Sequence, residues 1–497
     1  MAESSVFSEK YNFPLLILSI SLAIFMSSLD GTIVNIALPT ISESFDVSSS
    51  TVSWVSTSYL LVIAGCLLIF GKISDSIGFK RVFLSGFILF TTGSFACGFI
   101  PDLLGSFYSL VGSRAFQGIG GAMITAVAPA MVTAFIPPEK TGKAMGIIMT
   151  AASFGMALGP TIGGALTQYL SWHWIFFINV PVGILAVILG AKVVPNTKGE
   201  GSLSGFDKYG AFFIFAGLAM LLFFVSEGQT LGWTSPCILL SLAGAAVFIV
   251  MFVMHELKNK NPLLELRLFR NKNFVLMNVI ISLVFLTFGG INYLLPFYLE
   301  YVQGYETSVA GLILTILSFS MMISGLLAGL LYNRTGGRIL AVVAAFIMAG
   351  GYFMMSRLHP DTGLLFIGVC LFLIGFGLGL MTTPMFSMVL NSVSGRFQGM
   401  VSSLTGLERY APTTIGIAFY NLLFIQGALF IAKREGVVSS TPVTIKIEVL
   451  SAGFDFAFFF AMLFGILVLI LALFVKEVSP DSTRKNGENE AVIMGEL

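Results

Sequence analysis

The stretch SSLDGTIVNIALP places Asp30 inside an apolar run, Phe13 to Ile41, that is long enough to cross a bilayer. A carboxylate at the bilayer centre costs about 2.5–3.5 kcal/mol on insertion scales, so it needs a reason to be there. Arg114, in SRAFQGIGGAM, and the neighbours Glu408 and Arg409, in TGLERYAPTTIG, pose the same question in two other apolar runs. Intramembrane charges pair with one another, face water, or serve proton and ion pathways. Proton exchange and the binding of a charged solute are therefore the chemistries in view. The chain offers no nucleophile–base set and no phosphate loop, because the glycines of GIGG belong to an apolar span. Cys66, Cys97, Cys237 and Cys370 lie in apolar runs without C-x-x-C spacing, and His173, His255 and His359 fall near span edges. No metal site, no cofactor and no enzyme activity are expected.

The elements that carry these charges are set by composition. The chain has 497 residues, 56% hydrophobic and only 10% charged, against roughly 25% charged in an average soluble domain. Lipid is the solvent that such a chain requires. A net charge of +1 gives no argument for a nucleic-acid partner. At about 20 apolar residues per crossing, fourteen spans emerge: 14–37, 52–71, 82–100, 105–128, 143–166, 174–194, 209–226, 237–255, 274–298, 308–331, 339–357, 363–388, 399–424 and 454–475. The first is too long for a signal peptide and has no small-residue cleavage site after it, so it reads as a retained span. Of 26 Lys and Arg, 20 fall on one side and four on the other if both termini are cytoplasmic; Arg114 and Arg409 lie within spans. That asymmetry fixes the expected orientation.

Two cytoplasmic turns repeat. Gly71–Lys80 reads GKISDSIGFK and Gly329–Arg338 reads GLLYNRTGGR. Both run Gly, then Asp75 or Asn333, then Gly78 or Gly336, then Lys80 or Arg338. Glycine supplies the turn, and the repeat divides the chain into six, two and six spans. The expected domains are an N-terminal six-helix half (1–195), two inserted helices with a basic cytoplasmic linker (196–272), a C-terminal six-helix half (273–476) and a polar cytoplasmic tail (477–497). Two related halves around a central path are a transporter plan. The outer segment 430–452 contains the weakly alternating TPVTIKIEV, and its structure stays open.

Depth arguments bring the charges together. Asp30 lies about 24 Å along an entering helix and Arg114 about 13 Å along one entering from the opposite side. Both reach a similar level in one half, so they are expected to touch and to face one central cavity. They form either a static structural pair or a proton-exchanging carboxylate tuned by a guanidinium. Glu408 lies about 16 Å into its span. It reads as a second proton site, a contact for cationic substrate, or a neutraliser of Arg409 or Arg114. Gly155, Gly159 and Gly163 share one helix face near Pro160 and Gly164, which permits close helix packing and a seal against proton leak. Asp75 with Lys80 and Arg81 can latch the cytoplasmic face, or simply cap a helix. Among the many aromatic residues, Tyr59, Asn292, Tyr293 and Met385 could line an apolar substrate cavity suited to amphipathic cations.

LDGTIVNIALP, GKISDSIGFKR, RAFQGIGGAM, GMALGPTIGG, WHWIFFINVPVG, EGQTLGWTSP and YLLPFYLEYVQGYETSVAG, taken in order, resemble the fourteen-span drug:proton antiporter branch of the major facilitator superfamily. The likeness covers nearly the whole chain. It implies an all-α polytopic major facilitator fold and a multi-pass protein of a prokaryotic plasma membrane. It also implies a secondary active transporter working as a monomer, with the proton gradient as its energy source and protons, a small-molecule substrate and the bilayer as its partners. Asp30 and Arg114 match positions linked to proton coupling, Arg409 matches the usual arginine of its span, and the glycine motif of the fifth span marks export. The chain departs from the family pattern at Ser76 and Phe79, where basic residues are usual, at His173 in place of Arg, and at Glu408 in place of a small neutral residue. The expected activity is proton-coupled export of amphipathic or cationic organic compounds by alternating access. The alternatives are an exporter of one metabolite, lipid or siderophore, and a proton-coupled uptake symporter.

Overall fold

A computed structural model describes residues 13–136, 138–196, 207–259, 262–393, 398–434 and 443–478. Hydrocarbon offers no partner to a bare N–H or C=O, so each apolar run closes its own backbone hydrogen bonds as a helix. Fourteen helices among the described residues are long and apolar enough to span a membrane. They are α1 (Phe13–Ser44), α2 (Trp54–Ile77), α3 (Phe79–Leu104), α4 (Phe107–Phe135), α5 (Pro138–Tyr169), the sixth span Trp174–Val193, made of the short helix Trp174–Phe177 and α6 (Asn179–Val193), and α7 (Lys208–Leu231). The rest are α8 (Pro236–Lys258), α9 (Lys272–Phe297), α10 (Thr307–Thr335), α11 (Gly337–Met355), α12 (Leu364–Asn391), α13 (Gln398–Arg434) and α14 (Val443–Phe474). Each coincides with one span expected from hydropathy. The outer segment left open by the sequence is helical where described: α13 runs out to Arg434 and α14 begins at Val443. The weak alternation of TPVTIKIEV therefore does not make a strand there.

The chain divides into two compact units. One comprises the residues up to Ala219 together with Ala245–Phe252 and Glu306–Thr315; the other comprises Met220–Gly244, Val253–Tyr305 and the residues from Ile316 onward. Within the first, α1 packs along α5, α4 lies against both α2 and α3, and α3 meets α6. Within the second, α9 packs along α13, α11 lies against α12 and α14, and Gly375 and Gly379 of α12 approach the α10 backbone at Leu317 and Met321. Each pairing recurs eight helices later, which is the architectural form of the sequence repeat. Among the fourteen, α7 and α8 are the least buried. They meet through Phe212 and Phe248, whose ring centroids are 5.7 Å apart.

The two repeated turns fold alike. Gly78 ends α2 with φ 95° and Gly336 ends α10 with φ 81°, a region that side chains other than hydrogen rarely enter. Two residues on, Lys80 Nζ donates to the Ala191 carbonyl near the end of α6 at 2.7 Å, and Arg338 Nη2 donates to the Leu473 carbonyl near the end of α14 at 2.9 Å. In each unit a cation thus caps the C-terminus of a helix, α6 in the first and α14 in the second, where carbonyls lack helical partners. Of the expected latch, Lys80 and Arg338 serve as intra-unit caps, and Arg81 is exposed. The side chains of Asp75 and Asn333 lie outside the described residues.

The glycine face of α5 has two contacts. A Cβ at Gly155 would fall 2.5 Å from the Phe25 carbonyl oxygen, and one at Gly159 or Gly163 would strike Thr32 or Ile33 and Ile36 of α1. On its other side, Gly164 lies against Thr307 and Ser308, Gly311 against the Pro160 carbonyl, and the Thr161 and Thr315 hydroxyls share a 2.5 Å hydrogen bond. The face facilitates backbone approach to α1 at Gly155, Gly159 and Gly163, and to the first turns of α10 at Pro160 and Gly164. Gly155→Val is expected to separate α1 from α5 at a cost of about 1–3 kcal/mol. A lowered unfolding temperature of the detergent-purified protein, relative to wild type, checks this.

Candidate functional site

Asp30 and Arg114 meet. Nη1 of Arg114 donates to Oδ2 of Asp30 at 2.8 Å, with the side chains 1% and 0% exposed. Long apolar runs bring them together: α1 carries Asp30 on its buried length beside Ser27, Thr32 and Asn35, and α4 packs against the same unit's α2 and α3. An ion pair this deep holds only if its remaining polar atoms are also satisfied.

Their partners come from α2, α4 and α6, with Ser94 of α3 behind them. Gln117, one turn beyond Arg114 on the same face of α4, donates from Nε2 to Asp30 Oδ1 at 3.0 Å and to Ser94 Oγ of α3 at 2.6 Å. Its Oε1 accepts from Arg114 Nη1 at 2.6 Å. Asn179, at the start of α6, donates from Nδ2 to Asp30 Oδ1 at 2.8 Å and lies 3.1 Å from Ser94 Oγ. Arg114 Nε donates to the Val55 carbonyl of α2 at 3.0 Å. The guanidinium carbon sits 4.0 Å from the Tyr59 ring centroid and 5.6 Å from that of Phe176, distances at which a ring face attracts a cation. Asp30 therefore accepts from Arg114, Gln117 and Asn179 at once. Such an array can hold a carboxylate and can be reorganised by a single proton.

The expected contact of Asp30 with Arg114 is present, but the expected vestibule around it is not. In this conformation both side chains are enclosed by α1, α2, α3, α4, α6 and the turn Trp174–Phe177. The cause is the ring of side-chain donors, which takes the place of water. Gln117, Asn179 and Ser94 were not singled out in the sequence, although Gln117 and Asn179 stand within the quoted RAFQG and FFINVPVG. Their signal was available: each is a polar side chain inside an apolar span.

The remaining candidates separate. Tyr59, expected on a substrate wall, is buried under Arg114, because a ring face is the best apolar cover for a guanidinium. Tyr293 and Met385 are fully buried in the second unit, with the Tyr293 ring 5.3 Å from that of Phe297, and Asn292 is half-buried. Glu408, on α13, is 7% exposed and lines a groove of about 380 Å³ with residues of α9. Arg409 is half-buried with its guanidinium 5.6 Å from the Tyr410 ring. His173 hydrogen-bonds the Asp102 carboxylate at 3.0 Å and stacks on Trp172.

The family model of the Major Facilitator Superfamily matches residues 20–417, which includes the whole Asp30 cluster. The riboflavin transporter RibZ of Clostridioides difficile is 32% identical over 430 residues, covering 86% of this chain and 91% of that protein. The multidrug resistance protein Stp of Mycobacterium tuberculosis is 34% identical over 406 residues, 81% of this chain and 74% of that protein. The multidrug transporter protein MdtP of Bacillus subtilis is 32% identical, covering 86% and 82%. Among solved structures, a D-xylose–proton symporter superposes with a TM-score of 0.61 over 95% of this chain and 98% of that one at 15% identity, which shows the fold. The chain belongs to the Major Facilitator Superfamily and, with fourteen spans, to its fourteen-span branch. It is a multi-pass transporter of the plasma membrane.

Removing one partner of the buried pair leaves the other uncompensated, at about 3–5 kcal/mol. Asp30→Leu is therefore expected to destabilise the protein more than Asp30→Leu combined with Arg114→Met. A double-mutant comparison of unfolding midpoints in detergent measures the difference.

Proposed function

We propose that this protein exports amphipathic or cationic organic compounds in exchange for protons by alternating access, with Asp30 as the main proton-exchanging carboxylate. The observation that carries the reading is the buried array at Asp30, in which one titratable oxygen pair is held by three side-chain donors from two helices, α4 and α6. A proton on Asp30 would cancel the attraction to Arg114. The guanidinium would keep the Tyr59 ring, Gln117 and the Val55 carbonyl but lose its counter-charge, so the packing of α1 against α4 would loosen. Deprotonation would draw the helices back. A proton thereby changes the relative energy of two helix arrangements, which is what coupling requires.

In this reading the six-helix halves 1–195 and 273–476 alternate, with the 196–272 segment as an insertion and 477–497 as a tail, and the protein works as a monomer. The turns at Gly71–Arg81 and Asn333–Arg338 form the cytoplasmic gate. Arg114 tunes Asp30, Glu408 and Arg409 form a second charged cluster, and Gly155, Gly159, Pro160, Gly163 and Gly164 give the tight helix contact associated with export. Relatives named as multidrug resistance or multidrug transporter proteins support export of drugs. The relative named as a riboflavin transporter, which aligns over 91% of its length, favours a second reading, a transporter of one specific compound.

Ethidium efflux from whole cells is expected to follow an inward proton gradient and to fall at least about tenfold in Asp30→Asn, about 1.4 kcal/mol of coupling or more. Efflux that persists in Asp30→Asn rejects the assignment. Competition by a panel that includes riboflavin separates the broad reading from the specific one.

A further inference from the structure

The groove at Glu408 contains a second unusual feature. Val275, Asn278, Ser282 and Leu286 follow each other at helical spacing along one face of α9, and Glu408 and Pro412 close the groove from α13. Its volume, about 380 Å³, falls within the range of small-molecule sites. Almost all of its wall is apolar. The exceptions include two acceptor oxygens. Glu408 Oε2 and Asn278 Oδ1 are both buried without a hydrogen-bond donor among the described residues, and the residues are 7% and 4% exposed.

The amide orientation makes this specific. Asn278 Nδ2 donates to the Phe274 carbonyl one turn back in α9 at 2.6 Å. One of its two N–H donors is therefore committed, and its oxygen, on a residue lining the groove, is left without a donor among the described residues. A carboxylate adds further acceptors and, when ionised, a negative charge. A buried acceptor left unpaired costs about 1–3 kcal/mol, so a groove with two of them is complementary to a group that brings donors. Two oxygens are too few to replace the hydration shell of a hard metal ion. A quaternary ammonium would meet the charge and leave both acceptors unpaired. A protonated primary or secondary amine carries the charge and at least two N–H donors, and its apolar body suits the wall.

We infer that the groove between α9 and α13 binds amphipathic protonated amines in preference to quaternary ammonium ions, with Glu408 holding the charge and Asn278 Oδ1 accepting a second N–H. Its place in a transport cycle rests on the export reading above, but binding at the groove can be measured apart from it. The preference is for donors rather than for charge alone, since a site built to hydrogen-bond a group rejects the analogue that lacks it.

The test uses full-length protein in detergent at neutral pH and two probes of equal chain length, decylammonium and decyltrimethylammonium. Wild type is expected to bind decylammonium about tenfold more tightly. Glu408→Gln should weaken both probes by about tenfold or more. Asn278→Leu should bring decylammonium down to the quaternary level while leaving decyltrimethylammonium unchanged. Glu408→Asp, which retains the charge, should keep the preference, and with Asn278→Leu it decides the matter if Glu408→Gln does not fold. Equal binding of the two probes by wild type, or unchanged binding in folded Glu408→Gln, overturns the inference. Gradient-driven export is read in parallel in proteoliposomes. If it depends on Asp30 while the groove variants bind both probes as wild type does, this inference falls and the export reading stands. If the groove discriminates as expected and no gradient drives export, the export reading falls and the amine site stands.

Discussion

A carboxylate and a guanidinium can be kept inside hydrocarbon-facing helices only if every strong hydrogen-bonding atom on both finds a partner. That requirement organises the first unit. Asp30 binds α1 to α4 through Arg114, to α6 through Asn179 and, through Gln117 and Ser94, to α3. Arg114 binds α2 twice, by the Val55 carbonyl and the face of Tyr59. Lipid supplies no hydrophobic drive between helices, so packing contacts and polar bonds of this kind decide which spans associate.

The close packing of α1 on α5 serves the same end. Small residues at Gly155, Gly159 and Gly163 let the two backbones approach at Phe25, Ile33 and Ile36. Asp30 lies on the stretch of α1 between those contacts, so the glycine face sets where the carboxylate stands relative to α4. In the second unit the equivalent pair, α9 and α13, also approaches closely, with Gly416 against the Leu286 backbone and Gly289 against Thr413. There the charged residue is Glu408, and its setting is different. Among the described residues no donor bonds to Oε2, and the carboxylate borders a groove instead of a sealed network. One architectural repeat thus carries two electrostatic solutions, a satisfied pair in one unit and an acceptor-rich apolar groove in the other.

The repeated turns show how similar sequence leads to similar structure by a local rule. Gly78 and Gly336 adopt positive φ, and the following Lys80 and Arg338 each reach a carbonyl at the end of their unit's sixth core helix. The spacing of glycine and cation was visible in the residues. The destination of the cation was not, because Ala191 and Leu473 lie more than a hundred residues away along the chain. In the second unit Glu477 adds a further bond to the turn, accepting from the Gly337 and Arg338 backbone at 2.8 Å, and nothing in the local sequence around Gly336 announces it.

Much of the fold was legible because its determinants are local. The bilayer requires runs of apolar residues, and fourteen such runs can be counted along the chain. Orientation of the charges in depth follows from helix rise alone, which brought Asp30 and Arg114 to one level. The identities of Gln117, Asn179 and Ser94 as partners depend on azimuth, the direction each helix turns toward its neighbours, and a span that is apolar all round gives little periodic signal for that. The same limit misplaced Tyr59, which the tertiary structure sets beneath Arg114. The sequence by itself determined that this chain lives in lipid, how many times it crosses, and that a few charges must be compensated there. Only the tertiary structure decided which donors compensate them and that Glu408 and Asn278 share one groove, because those outcomes depend on helix rotation and packing between distant segments.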